Sequence, residues 1–219
     1  MIMDTLMNGF SKAKTVSLTE KVHDQILEMI IKSKSDEAAV LNEKRLVELL
    51  GVSKATVREA LVMLCSEDVL RNIPRYGYVV VQIKEQDRRD LIKMRILLEQ
   101  EALKKSFCGQ RIGEMQLEQL EKQITAAASK QNVDVWTVWE DNEEFHMLLA
   151  SFADDRILMK FLSDCMKMQK RVYAQTIWNS SSSMTDSVTS TPHHAIFKEL
   201  QAGNLEGALA LLEQDVTGM

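Results

Sequence analysis

NEKRLVELLGVSKATVREALVMLCS, residues 42–66, divides into two short helical patterns on either side of a single glycine. Leu46, Leu49 and Leu50 fall on one face of the first; Val57, Leu61 and Leu64 fall on one face of the second. Asn42 and Ser53 stand where caps belong, because a short side-chain oxygen can accept the first unpaired amide hydrogens of a helix. Gly51, between Leu50 and Val52, supplies the conformational freedom of a sharp reversal. The pattern predicts a helix-turn-helix, a unit whose second helix can enter a DNA major groove.

Working outward, Val22, Ile26, Met29 and Ile30 place a helix from Thr19 to about Lys32. Ser17 or Thr19 can cap it, and Glu20 favours Ser17 through the capping-box spacing. Residues 1–16 read as a loose lead-in, and SKSDEAAV as a polar break before Leu41. After Ser66, VLRNIPRYGYVVVQI offers two strands, Leu70–Ile73 and Tyr78–Ile83, around a PRYG turn with Pro74 and Gly77. A hairpin there is a wing, so residues 17–83 make a small winged domain.

From Glu85 the periodicity is helical almost throughout. Leu91, Met94, Arg95, Leu98 and Ala102 mark one helix, ending near Gly109, and Met115, Leu117, Leu120 and Ile124 mark the next. A third runs from about Asp134 through Trp136, Trp139, Phe145 and Leu149; a fourth spans Arg156 to Trp178. SSSMTDSVTS is a polar break, followed by helices His193–Gln201 and Leu205–Val216. The expected fold is mainly α: a winged helix-turn-helix within residues 1–83, then an all-helical bundle of six to seven helices over 84–219. The two prolines and eight glycines of the 219 residues also favour long helices over a sandwich or barrel.

The formal net charge of -5 excludes a general polyanion binder. Residues 1–80 balance eleven Lys/Arg against eleven Asp/Glu, so the acidity lies in the second part. DNA contact must then come from a local patch on the head. Cys65, Cys108 and Cys165 are far apart and embedded in helical patterns, without zinc or disulfide spacing. No stretch has the length and apolarity of a membrane span or leader, so a soluble cytoplasmic protein is expected.

In the head, Ser53, Lys54, Thr56 and Arg58 start the second helix, where base edges are read. Lys44 and Arg45 open the preceding helix, whose amide groups favour a phosphate. Arg71, Arg75 and Gly77 belong to the wing and its turn, within reach of backbone or minor groove. The blander reading leaves these as solvated charges, with Arg58 paired to Glu59 or Glu43.

NEKRLVELLGVSKATVREALVMLCSEDVL followed by PRYGYVV resembles the winged-helix head of the GntR transcriptional regulators. Leu41, Glu43, Leu46, Gly51, Val52, Ser53, Val57, Arg58, Glu59, Ala60 and Leu61 carry the resemblance. Lys44 and Lys54 stand where arginine is usual, Asp68 replaces a glycine, and EAAV replaces a proline-glycine. Lysine keeps the charge but loses bidentate geometry, which shifts the expected operator preference. The body is similar to the FadR-type ligand-binding domain, on Arg95, Leu98 and Glu99, then Asn142, Phe145 and His146, then His193, Gly203-Asn204 and Ala208.

That resemblance implies a divalent metal such as zinc, nickel or manganese, held in relatives by one Asp and three His. The corresponding residues here are Asn142, His146, His193 and Asp215, so the carboxylate stands at the other end of the set. An amide is a poor ligand and one imidazole is gone. The alternative is a metal-free polar pocket binding the effector through His146 and His193. His194 is a substitute for His193, turned by about a quarter of a helical turn.

Arg95 shares the inward face of Leu91 and Leu98, so it needs Glu99 or an acidic ligand as partner. The resemblance implies a small organic-acid effector, with Arg95, Asn142, His146, Arg171 and His193 as its binding residues. Trp136, Trp139, Phe161, Met166 and Tyr173 are expected to shape the pocket. It further implies a homodimer on a palindromic double-stranded operator, repressing until a carboxylate metabolite binds, with no membrane partner. No nucleophile motif or phosphate loop accompanies the histidines, so no catalytic residue and no enzyme activity is expected. The rival readings are an architectural or protein-binding module without ligand sensing and, more remotely, a metal-dependent hydrolase.

Overall fold

The computed structural model describes residues 17–32, 40–107, 112–131, 135–179 and 191–218. The lead-in over 1–16, both polar breaks apart from Val40, the helix end near Gly109 and Cys108 lie outside the described residues. The chain divides into two compact units between Gln82 and Ile83.

In the first unit, α1 (Leu18–Lys32) starts on the capping box of Ser17 and Glu20. The Ser17 amide donates to Glu20, and the Glu20 amide donates to the Ser17 hydroxyl. α2 (Glu43–Leu50) is capped by Asn42, whose Oδ1 accepts from the Lys44 and Arg45 amides. It stops at Gly51, in the left-handed region at φ 65°. α3 (Lys54–Ser66) is capped by the Ser53 hydroxyl. Val22, Ile26, Leu46, Val57, Leu61 and Leu64 form its core. Leu49 departs from the expected apolar face: it is 63% exposed, and Val47 and Leu50 pack on the core instead. The buried stripe keeps the usual width of about 100° but is rotated toward Val47, because the docking of α2 on its neighbours, not periodicity, sets which side faces the core.

The wing is a three-stranded antiparallel sheet, not a lone hairpin. β1 (Val40–Leu41) pairs with β3 (Gly77–Val80), which also pairs with β2 (Leu70–Ile73), giving the order β1-β3-β2. Two residues carry too little propensity to show β1 in advance, and β3 ends before the expected Ile83. Asp68 adopts φ 54°, a left-handed turn that explains the family's glycine there and that aspartate tolerates. A Cβ on Gly77 would lie 2.9 Å from the Leu41 carbonyl oxygen. Its glycine therefore has a structural cause in the β1–β3 approach, whatever it does toward DNA.

The second unit is all α: α4 (Glu85–Ser106), α5 (Glu114–Ser129), α6 (Val135–Ser151), α7 (Arg156–Asn179), α8 (Thr191–Gln201) and α9 (Leu205–Gly218). Leu103, Leu120, Phe145, Ile196, Leu200 and Leu212 are central to its core. α4 and α7 run antiparallel, since Arg95 meets Gln169 while Lys105 meets Asp155. Phe161 turns outward at 56% exposure, so it shapes no pocket; Met94 and Met115 are likewise exposed. Among the described residues, no helix is long and apolar enough to cross a membrane.

Candidate functional site

Five helices of the second unit converge on one buried polar cluster. α6 presents Asn142 and His146, four residues apart and therefore on one face. Both are buried, as is His193 near the start of α8, and the Asp215 side chain on α9 is only 8% exposed. α4 contributes Arg95 and Glu99, and α7 contributes Gln169, all buried.

Geometry sorts these groups into an inner and an outer layer. His146 Nε2 lies 3.1 Å from Asp215 Oδ2, and His193 Nε2 lies 3.3 Å from the same oxygen. No hydrogen bond is aligned to His146 Nε2 or Asp215 Oδ2 within the described residues. One ligand atom each from His146, His193 and Asp215 falls within 4.8 Å of the others. Asn142 Oδ1 is 3.1 Å from His193 Nε2. The Phe145 ring stacks on His193 with centroids 3.9 Å apart, which fixes the imidazole plane. His146, His193 and Asp215 could in principle hold a metal ion, with Asn142 Oδ1 paired to His193 Nε2 beside them.

The outer layer sets the tautomer. His146 Nδ1 is 2.6 Å from Glu99 Oε2. Burial pushes the Glu99 carboxyl up, but Arg95 and His146 outweigh it and hold it at about 2. Glu99 is therefore an anion that accepts the Nδ1 proton, leaving Nε2 to face Asp215. This carboxylate–histidine arrangement is the usual support of a metal-bound imidazole. Arg95 in turn donates to Glu99 Oε1 at 2.7 Å and to Gln169 Oε1 at 3.1 Å.

Burial depresses His146, but Glu99 raises its pKa above the usual 6.5 on balance. Burial leaves His193 lowered. Burial raises the Asp215 carboxyl, while hydrogen bonding and charge from the two histidines bring it well below the ordinary range. The Asp215 carboxylate is thus held ionised between His193, biased toward its neutral form, and His146, biased toward its protonated form.

Among the residues expected at this site, Asn142, His146, His193 and Asp215 come together, with Arg95 one layer out. Arg171 is buried on α7. His194 is a correction: it points outward, 6.3 Å from the Phe197 ring, and cannot replace His193. Glu99 was foreseeable as a partner of Arg95 from their four-residue spacing, whereas its bond to His146 spans 47 positions. No sequence signal marks Gln169. Trp139 is buried, with its ring centroid 5.0 Å from that of Tyr173, whose buried hydroxyl has no hydrogen-bond partner among the described residues.

On the first unit, Lys44, Arg45, Lys54, Thr56, Arg58, Arg71 and Arg75 are all exposed or half-exposed. A groove of about 660 Å³ runs between the start of α2 and the wing, lined by Lys44, Lys54, Asn72, Arg75, Tyr76 and Tyr78 among others. Arg58 pairs with Glu43 rather than Glu59, which instead accepts from Thr19. Ser53 and Thr56 hydroxyls lie 2.8 Å apart at the start of α3.

Comparison with known proteins supports the same division. Residues 18–80 match the model of bacterial regulatory proteins of the gntR family, and residues 90–217 match the FCD domain. The chain is 26% identical over 204 residues to the uncharacterized HTH-type regulator YdhC of Bacillus subtilis, covering 92% of this chain and 89% of that protein. It is 29% identical over 171 residues to the gluconate operon transcriptional repressor of Bacillus subtilis, covering 78% of this chain and 61% of the repressor. In fold it is similar to Escherichia coli McbR/YncC, with a TM-score of 0.75 at 20% identity over 93% of this chain and 95% of the other. A GntR regulator from Rhodococcus sp. RHA1 gives 0.72 at 23% identity, over 91% and 93% of the two chains. The protein belongs to the GntR family: it is a sequence-specific DNA-binding transcriptional regulator with an FCD domain as its helical body, not an enzyme.

Proposed function

We propose that this is a FadR-type repressor whose helical unit senses a small carboxylate metabolite through a metal-centred site and releases operator DNA. The observation that carries the sensing half is the convergence of His146, His193 and Asp215 with Asn142 beside them, and with Glu99 holding His146. These residues would hold a divalent cation such as zinc, nickel or manganese. The cation would supply a positive charge toward an acidic effector. Arg95 keeps Glu99 ionised, Glu99 orients His146, and Phe145 braces His193. The relatives named as gluconate operon repressors support a sugar acid as the first effector to try.

In the head, α3 would read base edges through Lys54, Thr56 and Arg58, with Ser53 at its cap. Lys44 and Arg45 would bind phosphate at the start of α2; Arg71, Arg75 and Gly77 would bring the wing to the backbone or minor groove. Reading a palindrome needs two heads. An exposed apolar face supports dimerisation: Met94 and Leu97 on α4, and Ile157, Phe161 and Met168 on α7. Exposed Asp90 and Glu101 flank it on α4, and exposed Arg156, Lys160 and Lys167 on α7. Exposed Lys93 on α4 and Asp164 on α7 border it too, so a twofold copy that lays α4 on α7 would close an apolar centre ringed by charges of both signs.

The test is selection of bound DNA from a random pool, followed by challenge with gluconate and other organic acids, with and without added zinc. Release of the selected site by an acid supports the reading. A selected site that no acid releases points to an architectural module. Purified protein that holds no stoichiometric metal, and shows no thermal shift with zinc, nickel or manganese, removes the metal.

A further inference from the structure

Glu43 opens α2, yet its carboxylate grips a side chain of the next helix. Arg58 Nε donates to Glu43 Oε1 at 2.8 Å, and Arg58 Nη2 donates to Oε2 at 3.2 Å. Lys54 Nζ lies 3.9 Å from Oε2. A guanidinium has five N–H groups in a planar fork. Two of them, along the Nε–Nη2 edge, are taken by Glu43. The end edge, formed by Nη1 and the second hydrogen of Nη2, points away from Glu43.

That remaining edge has the spacing for guanine, which presents O6 and N7 side by side in the major groove. The geometry also restrains Arg58. Its side chain is 58% exposed and otherwise has many rotamers, whereas the Glu43 side chain is only 21% exposed. Asn42 caps α2 and so fixes the position of Glu43, and the helix N-terminus favours a carboxylate there. A carboxylate beside a DNA-facing surface repels phosphate unless paired, so its value lies in what it holds.

We propose that Glu43 is a positioning residue for DNA reading: it holds Arg58 by its side edge and aims the end edge at a guanine of the operator half-site. This rests on α3 being the reading helix. Glu43 costs some attraction for DNA of any sequence and in exchange gives Arg58 one geometry. Without it, Arg58 can swing to phosphates, which bind it without regard to sequence.

The experiment uses the full chain as wild type, E43Q, R58A and R58K, each checked for fold by circular dichroism and melting. A site is selected from random DNA with the wild type and then titrated with each guanine replaced in turn. R58A should lose preference at one guanine. E43Q should lose roughly tenfold discrimination at that same guanine, while its affinity for random-sequence DNA holds or rises. R58K, which keeps the charge and Glu43 but lacks the fork, should lose the same preference. Unchanged discrimination in E43Q, a loss spread evenly over all positions, or full retention by R58K would overturn the proposal. Failure of the wild type to select any site would instead overturn α3 as the reading helix, and this inference with it.

Discussion

His146 and Glu99 meet across 2.6 Å at zero and 2% side-chain exposure, joining α6 to α4 in the middle of the helical unit. Replacing Glu99 with Gln leaves the Arg95 charge buried without its counter-ion and frees the His146 tautomer. Removing one partner of a buried pair costs about 3–5 kcal/mol, so E99Q should lower the denaturant midpoint clearly. Metal affinity should fall roughly 10- to 100-fold, as for other supports of a ligating histidine. Glu99 is held at about 2 against an ordinary 4.5. Its stabilisation is therefore full above pH 4.5 and fades as pH falls toward 2, a dependence E99Q should lack. Unfolding curves from pH 3 to 7 and zinc titration by calorimetry check both effects.

The set of one carboxylate and one carboxamide predicts opposite outcomes for two exchanges. N142D adds an anionic donor beside His193 and should tighten zinc or manganese binding. D215N removes the carboxylate nearest both histidines and should weaken binding by roughly a hundredfold or more. Competition with a chromophoric chelator measures both. Equal affinities in the two variants would show that Asp215 is no ligand.

The α4–α7 face predicts that F161D is a monomer at concentrations where the wild type is a dimer. Phe161 is 56% exposed, so the substitution leaves the fold of a single chain intact. Light scattering gives the mass and circular dichroism the helix content. A dimeric F161D would move the interface elsewhere.

His23 on α1 links the head to pH. It is buried, with Nδ1 2.9 Å from Asp24 Oδ1 and Nε2 2.9 Å from Glu67 Oε2 beyond the end of α3. Burial lowers its pKa, but the hydrogen bonds and charges of Asp24 and Glu67 raise it above 6.5 on balance. The folded state therefore holds the proton more tightly than the unfolded one. Its stabilisation is complete below pH 6.5 and disappears as pH rises through the folded value. Melting of the full chain from pH 6 to 9 should show this decline, and H23Q should flatten it.

Gly51 ends α2 at φ 65° with nothing within 4 Å of where a Cβ would stand. G51A therefore meets no clash, only the left-handed backbone penalty of about 1–2 kcal/mol. A small drop in midpoint with unchanged spectra is expected; a loss of more than about twice that range would mean the turn is constrained by more than its φ.

Local interactions were legible in the sequence because they act within about one helical turn. Asn42, Ser53 and the Ser17–Glu20 box cap helices, Gly51 reverses the chain, and apolar spacing marks the long helices. The same locality explains the misses. Periodicity gives a face but not its partner, so the pattern alone turns Leu49 and Phe161 inward while the structure leaves them exposed. β1 exists only because β3 arrives beside it from nearly forty positions away. The choice between His193 and His194 needed the docking of α8 on α6, which stacks His193 on Phe145.

What the sequence by itself determined was therefore the two-part architecture, the helix-turn-helix and the residue types available for a metal. Tertiary structure alone decided which of them converge. Glu99 reaches His146, and Glu43 holds Arg58 by one edge, because helix packing fixes distances between residues that the chain itself leaves far apart.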